Sequence, residues 1–135
     1  MTTMYSPRVY ETVCRCVAES LAVPLTDITS TSRLVDDLGA DSLDFVDIVF
    51  MLERELDIRV RETEFNFLTR LDFSSPDVMK EGFLTREVID KLATWLPAMA
   101  TVPDRTRVTP RQLFSLITVE SISIVAQRRL DISTG

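Results

Sequence analysis

Histidine is absent from all 135 residues, and no other gap in the composition closes as much chemistry. Without it there is no Ser-His or Cys-His pairing, and the commonest general base is missing. Lysine and carboxylate chemistry stay open, but most routes to catalysis do not. Cysteine is scarce too. Cys14 and Cys16 stand two apart on an expected helix, so they point in different directions. A disulfide between them would be strained, and two thiols without histidine make no plausible zinc site. They read as small apolar residues kept reduced in the cytosol. No apolar run approaches the roughly 18 residues that span a bilayer, and the N-terminus lacks a basic-then-apolar signal pattern, so no transmembrane segment is expected and the expected location is cytoplasmic. Bases are outnumbered, 15 against 21 acids, with a pI near 4.6. That balance argues against nucleic acid, whose phosphates demand a positive footprint.

What remains is an ordinary soluble composition, 45% hydrophobic and 27% charged. It predicts one domain over residues 1–135, large enough for a real core but small for an enzyme with its own pocket. The acidity is not evenly spread. Between Asp36 and Asp57 stand Asp36, Asp37, Asp41, Asp44, Asp47, Glu53, Glu55 and Asp57 against Arg54 alone, a local charge of −7 in a chain whose total is −6. A focused field of that kind favours basic partners.

Hydrophobic periodicity predicts an all-helical chain. Ser6-Pro7 is a helix start, and Val9, Tyr10, Val13, Val17 and Leu21 give an amphipathic helix over residues 7–22, closed by Pro24. Residues 25–40 read as a long ordered loop pinned by Ile28, Leu34, Val35 and Leu38. A second helix is expected over residues 42–56, with Asp41 as N-cap and Asp44 closing a capping box. Phe45, Ile48, Val49, Leu52 and Leu56 should form its core face. Leu43, Val46 and Phe50 lie off that face, beside Asp44 and Asp47, as a second apolar strip. It is either covered by this chain or left open for a partner.

Further on, Phe65, Phe67, Leu68, Leu71 and Phe73 cluster, residues 74–77 form a turn, and a helix is expected over residues 86–96 with Thr85 at its start and Pro97 at its end. Pro103 reads as linker. Thr109 and Gln112 mark another capping box, followed by apolar contacts from Leu113, Phe114, Leu116 and Ile117. The last helix should start at Thr118, with Val119, Ile122, Val125 and Ala126 inward. Leu130 should lie near its end, Arg128-Arg129 in its last turn, and residues 133–135 as frayed tail. No segment has a strand period long enough for a sheet.

Ser42 stands at the mouth of the second helix, where free backbone N–H groups and the positive dipole end suit an attached phosphate. Its side chain should be exposed, because the inward positions are already apolar. Gly39 permits close approach of the backbone or of a visiting enzyme. The nearby carboxylates tolerate a singly charged phosphodiester better than a free dianion. Taken alone, these observations also fit an ordinary first-turn serine.

The stretch Asp37-Leu38-Gly39-Ala40-Asp41-Ser42-Leu43-Asp44 resembles the attachment motif of acyl carrier proteins, Asp-Ser-Leu at a helix start preceded by Leu-Gly. The resemblance runs from Leu34 through Leu56 and returns at residues 113–122. It implies an acyl-carrier-type four-helix bundle, 4′-phosphopantetheine bound covalently to Ser42, and Asp41 and Leu43 as part of the motif read by a phosphopantetheinyl transferase. It further implies Asp44, Asp47 and Glu53 with Val46 and Phe50 as a docking face for acyl-transferring or acyl-elongating enzymes, on a monomer that is a carrier, not an enzyme. Under it the second apolar strip is expected to be left open.

Stand-alone carriers of this family are shorter, so residues 61–108 are expected to be a helical insertion between the second helix and the C-terminal helices. Residues 41–50, Asp-Ser-Leu-Asp-Phe-Val-Asp-Ile-Val-Phe, also resemble enlarged bacterial carriers, among them those supplying very long acyl chains for lipid A. Phe65, Phe67, Phe73, Met79, Phe83 and Trp95 could widen an acyl pocket or simply pack the insertion. The alternatives within this reading are a peptidyl or polyketide-type carrier, or an unmodified interaction module that keeps the fold.

Overall fold

The computed structural model describes residues 5–59 and 71–134, without the side chains of residues 42 and 132–134. Helix α1 (Pro7–Leu21) begins where the sequence marks it: the Ser6 hydroxyl accepts from the Val9 N–H and Pro7 needs no donor. It ends at Ala22, which adopts a left-handed conformation and returns its N–H to Ala18 before Pro24 is reached. Helix α2 (Ser42–Leu56) has the expected bounds, and both halves of the Asp41–Asp44 capping box are formed. Ile48, Val49, Leu52 and Leu56 are buried against the bundle, each worth about 1.5–3 kcal/mol of apolar burial. Phe45, expected in that core, is only half-buried.

The loop before α2 is ordered by backbone hydrogen bonds, not by packing alone. Leu34 N–H donates to Ile117 O (3.0 Å), Val119 N–H to Ser32 O (3.0 Å) and Glu120 N–H to Ser30 O (2.9 Å). These tie the loop to the start of the last helix. Ile28 and Leu34 are buried, as expected, and Leu38 packs on the core. Val35 is not a core residue: it is 39% exposed.

Beyond α2, residues 78–108 build a small module. A hairpin pairs Met79–Lys80 (β1) with Phe83–Leu84 (β2), turning through Glu81 and Gly82, both with positive φ. This hairpin departs from the all-helical expectation, because two-residue strands carry no period. Helix α3 (Arg86–Ala93) stops short of the expected residue 96. Trp95 and Leu96 are buried all the same, so their apolar spacing reflects packing in the following turn. The Thr85 hydroxyl donates to Asp77 O instead of capping α3. Pro97–Thr101 and Arg105–Arg107 are short 3₁₀ turns.

Helix α4 (Pro110–Ser115) is capped by Thr109, whose hydroxyl accepts from the Gln112 N–H. Helix α5 (Val119–Thr134) is opened by reciprocal bonds between Thr118 and Ser121. Residues 121–126 of α5 are buried on every side, so Ile124, Ser121 and Ser123 join the four inward residues expected. The two serines satisfy themselves by donating to Thr118 O and Val119 O. Arg128-Arg129 are not in the last turn, since the helix runs on to Thr134, and Ser133 and Thr134 are helical instead of frayed. The Arg128 guanidinium donates to Thr94 O (2.7 Å), at the end of α3. α1 packs on both α2 and α5, and the buried apolar residues of the bundle and of 78–108 form one continuous core.

Candidate functional site

The site is built on the N-terminal end of α2. Asp41 Oδ1 accepts from Asp44 N–H (2.8 Å) while Asp44 Oδ2 accepts from Asp41 N–H (3.0 Å). This closed ring fixes the backbone on both sides of Ser42, the first residue of the helix. The expected exposure of the Ser42 hydroxyl lies outside the described side chains. Before it, Ala40 is buried and donates its N–H to Leu34 O (2.8 Å), holding the approach to the helix. Gly39 has φ of +74°, a region disfavoured for other residues, and a Cβ there would meet nothing within 4 Å. The backbone just before Ser42 is thus open to a large visitor.

The large apolar side chains most open to water among the described residues are Leu25, Val35, Leu43, Val46, Phe50, Phe73 and Phe114. Apart from Leu25, all belong either to the outward strip of α2 or to one pocket at its N-terminal end. The strip is open in this chain: Leu43 is 78% exposed, Phe50 48% and Val46 43%. The pocket, about 470 Å³, lies within the range of small-molecule sites and is overwhelmingly apolar. Leu34, Ala40 and Ile117 form its buried floor; Val35, Val46, Phe73 and Phe114 form its partly exposed walls. Asp41 is its one charged lining residue.

The acids expected on the docking face have different surroundings. Asp47 is exposed, and its Oδ2 accepts from the Ser20 hydroxyl at 2.8 Å, linking α2 to α1. Asp44 is half-buried and occupied by the capping box. Glu53 is half-buried near the end of α2. The structure therefore gathers Asp41, Leu43, Asp44, Val46, Asp47 and Phe50 around the first two turns, with Glu53 farther along. Asp44 and Asp47 each have a structural task besides any partner.

Sequence reasoning missed Phe114 as a site residue. Its sequence position marks it only as an apolar contact, whereas Leu113, Leu116 and Ile117 are buried and Phe114 is a partly exposed wall of the pocket. Phe73 lines the pocket, as one of the aromatics for which either pocket-widening or packing of the insertion is open. Met79, Phe83 and Trp95 do not, and Phe65, Phe67 and Leu68 lie outside the described residues. A second depression of about 370 Å³, at Asp27, Thr29, Ser32 and Asp37, contains no residue of α2. Among the described residues no cluster of His, Cys, Asp or Glu could hold a metal ion, and no helix is long and apolar enough to cross a membrane. Cys14 and Cys16 are free and buried, and burial pushes both thiols up, Cys16 to about 11.

Residues 11–72 match the family described as the phosphopantetheine attachment site. Over 56 residues the chain is 43% identical to an acyl carrier protein of Clostridium acetobutylicum, covering 42% of this chain and 73% of that protein. The chain belongs to the acyl carrier protein family. The acyl carrier protein AcpXL of Mesorhizobium japonicum is also similar, 41% identical over 51 residues; the aligned part is 38% of this chain and 55% of that protein. No solved structure matches the chain. Phosphopantetheine is the group this family's domain holds, and fatty acid or lipid biosynthesis fits the family. The site suits such a group: an open backbone at Gly39, a rigid helix tip, and an apolar pocket beside it.

Proposed function

We propose that this acyl carrier protein bears 4′-phosphopantetheine on Ser42 and carries acyl groups between enzymes of lipid biosynthesis. One observation carries this reading most strongly. Ser42 opens a helix held by a closed capping box, and Asp41, the residue before it, lines a pocket whose walls are apolar and half-open. When bound, the arm supplies a terminal thiol on which cargo is held as a thioester. The protein's own residues do the rest. Asp41 and Asp44 fix the helix tip, Asp41 and Leu43 flank the serine for the transferase, and Leu34, Ala40 and Ile117 offer an apolar floor that shelters an acyl chain from water.

Leu43, Val46 and Phe50, with Asp44, Asp47 and Glu53, form the face that meets partner enzymes through basic patches. Tethering raises the local concentration of cargo at each enzyme without tight binding. Rim charges speed encounter and are screened by salt, which suits a shuttle that must also release. We assign the protein a carrier role, not a catalytic one, as a cytoplasmic monomer. Residues 61–108 act as an insertion in the carrier fold. We place its destination in a specialised lipid, lipid A among them, a reading with which the similarity to the acyl carrier protein AcpXL is compatible.

Intact mass after incubation with a phosphopantetheinyl transferase and coenzyme A tests the attachment. The wild type should gain the arm and Ser42→Ala, folded as before, should gain nothing. Arm mass on the variant overturns the assignment.

A further inference from the structure

The pocket beside α2 has two kinds of wall. Its floor is rigid: Leu34, Ala40 and Ile117 are at most 6% exposed and belong to the continuous core. Its outer side is an aromatic pair from distant parts of the chain, Phe73 and Phe114, packed edge to face with ring centroids 6.5 Å apart and planes at 77°. Each ring remains more than a third exposed. Neither ring is there to fill the core, since both leave much of their area in water. Exposed aromatics are costly unless something apolar visits them.

We propose that Phe73 and Phe114 are the cargo-selecting pair of this carrier, setting how much of a linear acyl chain is held against the floor. The inference rests on attachment at Ser42. The occupant follows from position: Asp41, adjacent to Ser42 in sequence, lines the same pocket, so a chain delivered on the arm is fastened beside the apolar floor. Both rings line the pocket while staying partly exposed, so they stand between its buried floor and water. A chain long enough to touch both gains apolar contact with each added methylene, whereas an acetyl group gains almost none.

The test uses the full chain loaded with acetyl, octanoyl and hexadecanoyl arms, with loading verified by intact mass. Cleavage of the thioester by hydroxylamine reads how well the cargo is sheltered. In the wild type, cleavage should slow as the chain lengthens. Phe73→Ala and Phe114→Ala should each speed cleavage of the long-chain forms roughly fivefold, the scale of one aromatic contact, and leave the acetyl form unchanged. Phe114→Leu, which keeps apolar volume without the ring, should fall between. Equal acceleration for all three cargoes, or none for any, overturns the assignment of the pair. Absence of added mass on the wild type overturns attachment at Ser42 instead, and the two failures are read from different measurements.

Discussion

The N-terminal end of α2 and the module at residues 78–108 are built from similar residues to opposite ends. The module holds five bases and four acids, and its exposed charges pair within a turn or so: Arg86 with Asp90, Lys91 with Glu87, Arg107 with Asp104. Its large apolar side chains go inward, with Leu92, Trp95, Leu96 and Met99 at most 1% exposed. Around α2 the acids have almost no bases to meet, and Leu43, Val46 and Phe50 face water. One surface is complete in itself. The other sets acidic side chains and exposed apolar area side by side, the arrangement on which the proposed docking face rests.

The contrast is broken most forcefully at Trp95. Trp95→Ala should cost about 3–5 kcal/mol in urea unfolding, because the ring is buried in the continuous core. Under conditions where the variant stays folded, loading of the arm should match wild type. Loading lost in a folded variant would mean that the module shapes the site after all.

A smaller effect tells whether the inward side of α1 and α2 is as closed as the module. Burial above all, then the charge of Glu55, pushes the Cys16 thiol from 9.0 to about 11. Burial and then the hydrogen bond to Glu120 push the Tyr5 phenol from 10.0 to about 12. Both groups hold their protons longer when folded. Stability should therefore be full below pH 9 and fall as pH rises to about 11, with Tyr5 extending the decline toward 12. The slope from Cys16 is at most about 1.4 kcal/mol per pH unit. Urea midpoints across this range check it, and Cys16→Ala should flatten the lower part of the decline.

Smallest in stability, but the sharpest for function, are the acids. Asp47→Lys should slow transfer to partner enzymes several-fold at low salt and cost under about 1 kcal/mol, since only an exposed bond to Ser20 is lost. Asp44→Lys should slow transfer similarly but cost roughly 1 kcal/mol more, because it opens the capping box. Transfer rates measured against salt, with melting curves beside them, separate docking from capping. Unchanged rates at low salt would remove the docking face.

How legible these features were depends on how local their causes are. The Asp41–Asp44 box and the Ser6 and Thr109 caps were readable because a cap is made by residues three apart. The open strip at Leu43, Val46 and Phe50 followed from helical spacing together with the family resemblance. The end of α3 was misjudged because Trp95 and Leu96 keep apolar spacing after the helix has stopped. The hairpin left only Glu81-Gly82 as a trace, a two-residue turn with positive φ at both positions. Val35 and Phe45 looked like core residues, and Phe114 like an apolar contact, because sequence shows that a residue is apolar, not that its neighbourhood contains a cavity. Their pocket is made by segments far apart in the chain, and no spacing rule reaches across that separation.

The stitching of residues 30–34 to the start of α5 has a mechanical consequence. A swinging limb is only as accurate as its pivot, and for an arm on Ser42, as proposed, main-chain bonds clamp the loop before the pivot to a helix whose residues 121–126 are all buried. With the arm on Ser42 as proposed, reach and sweep would come from the attached group, and the hub would present each enzyme with the same geometry.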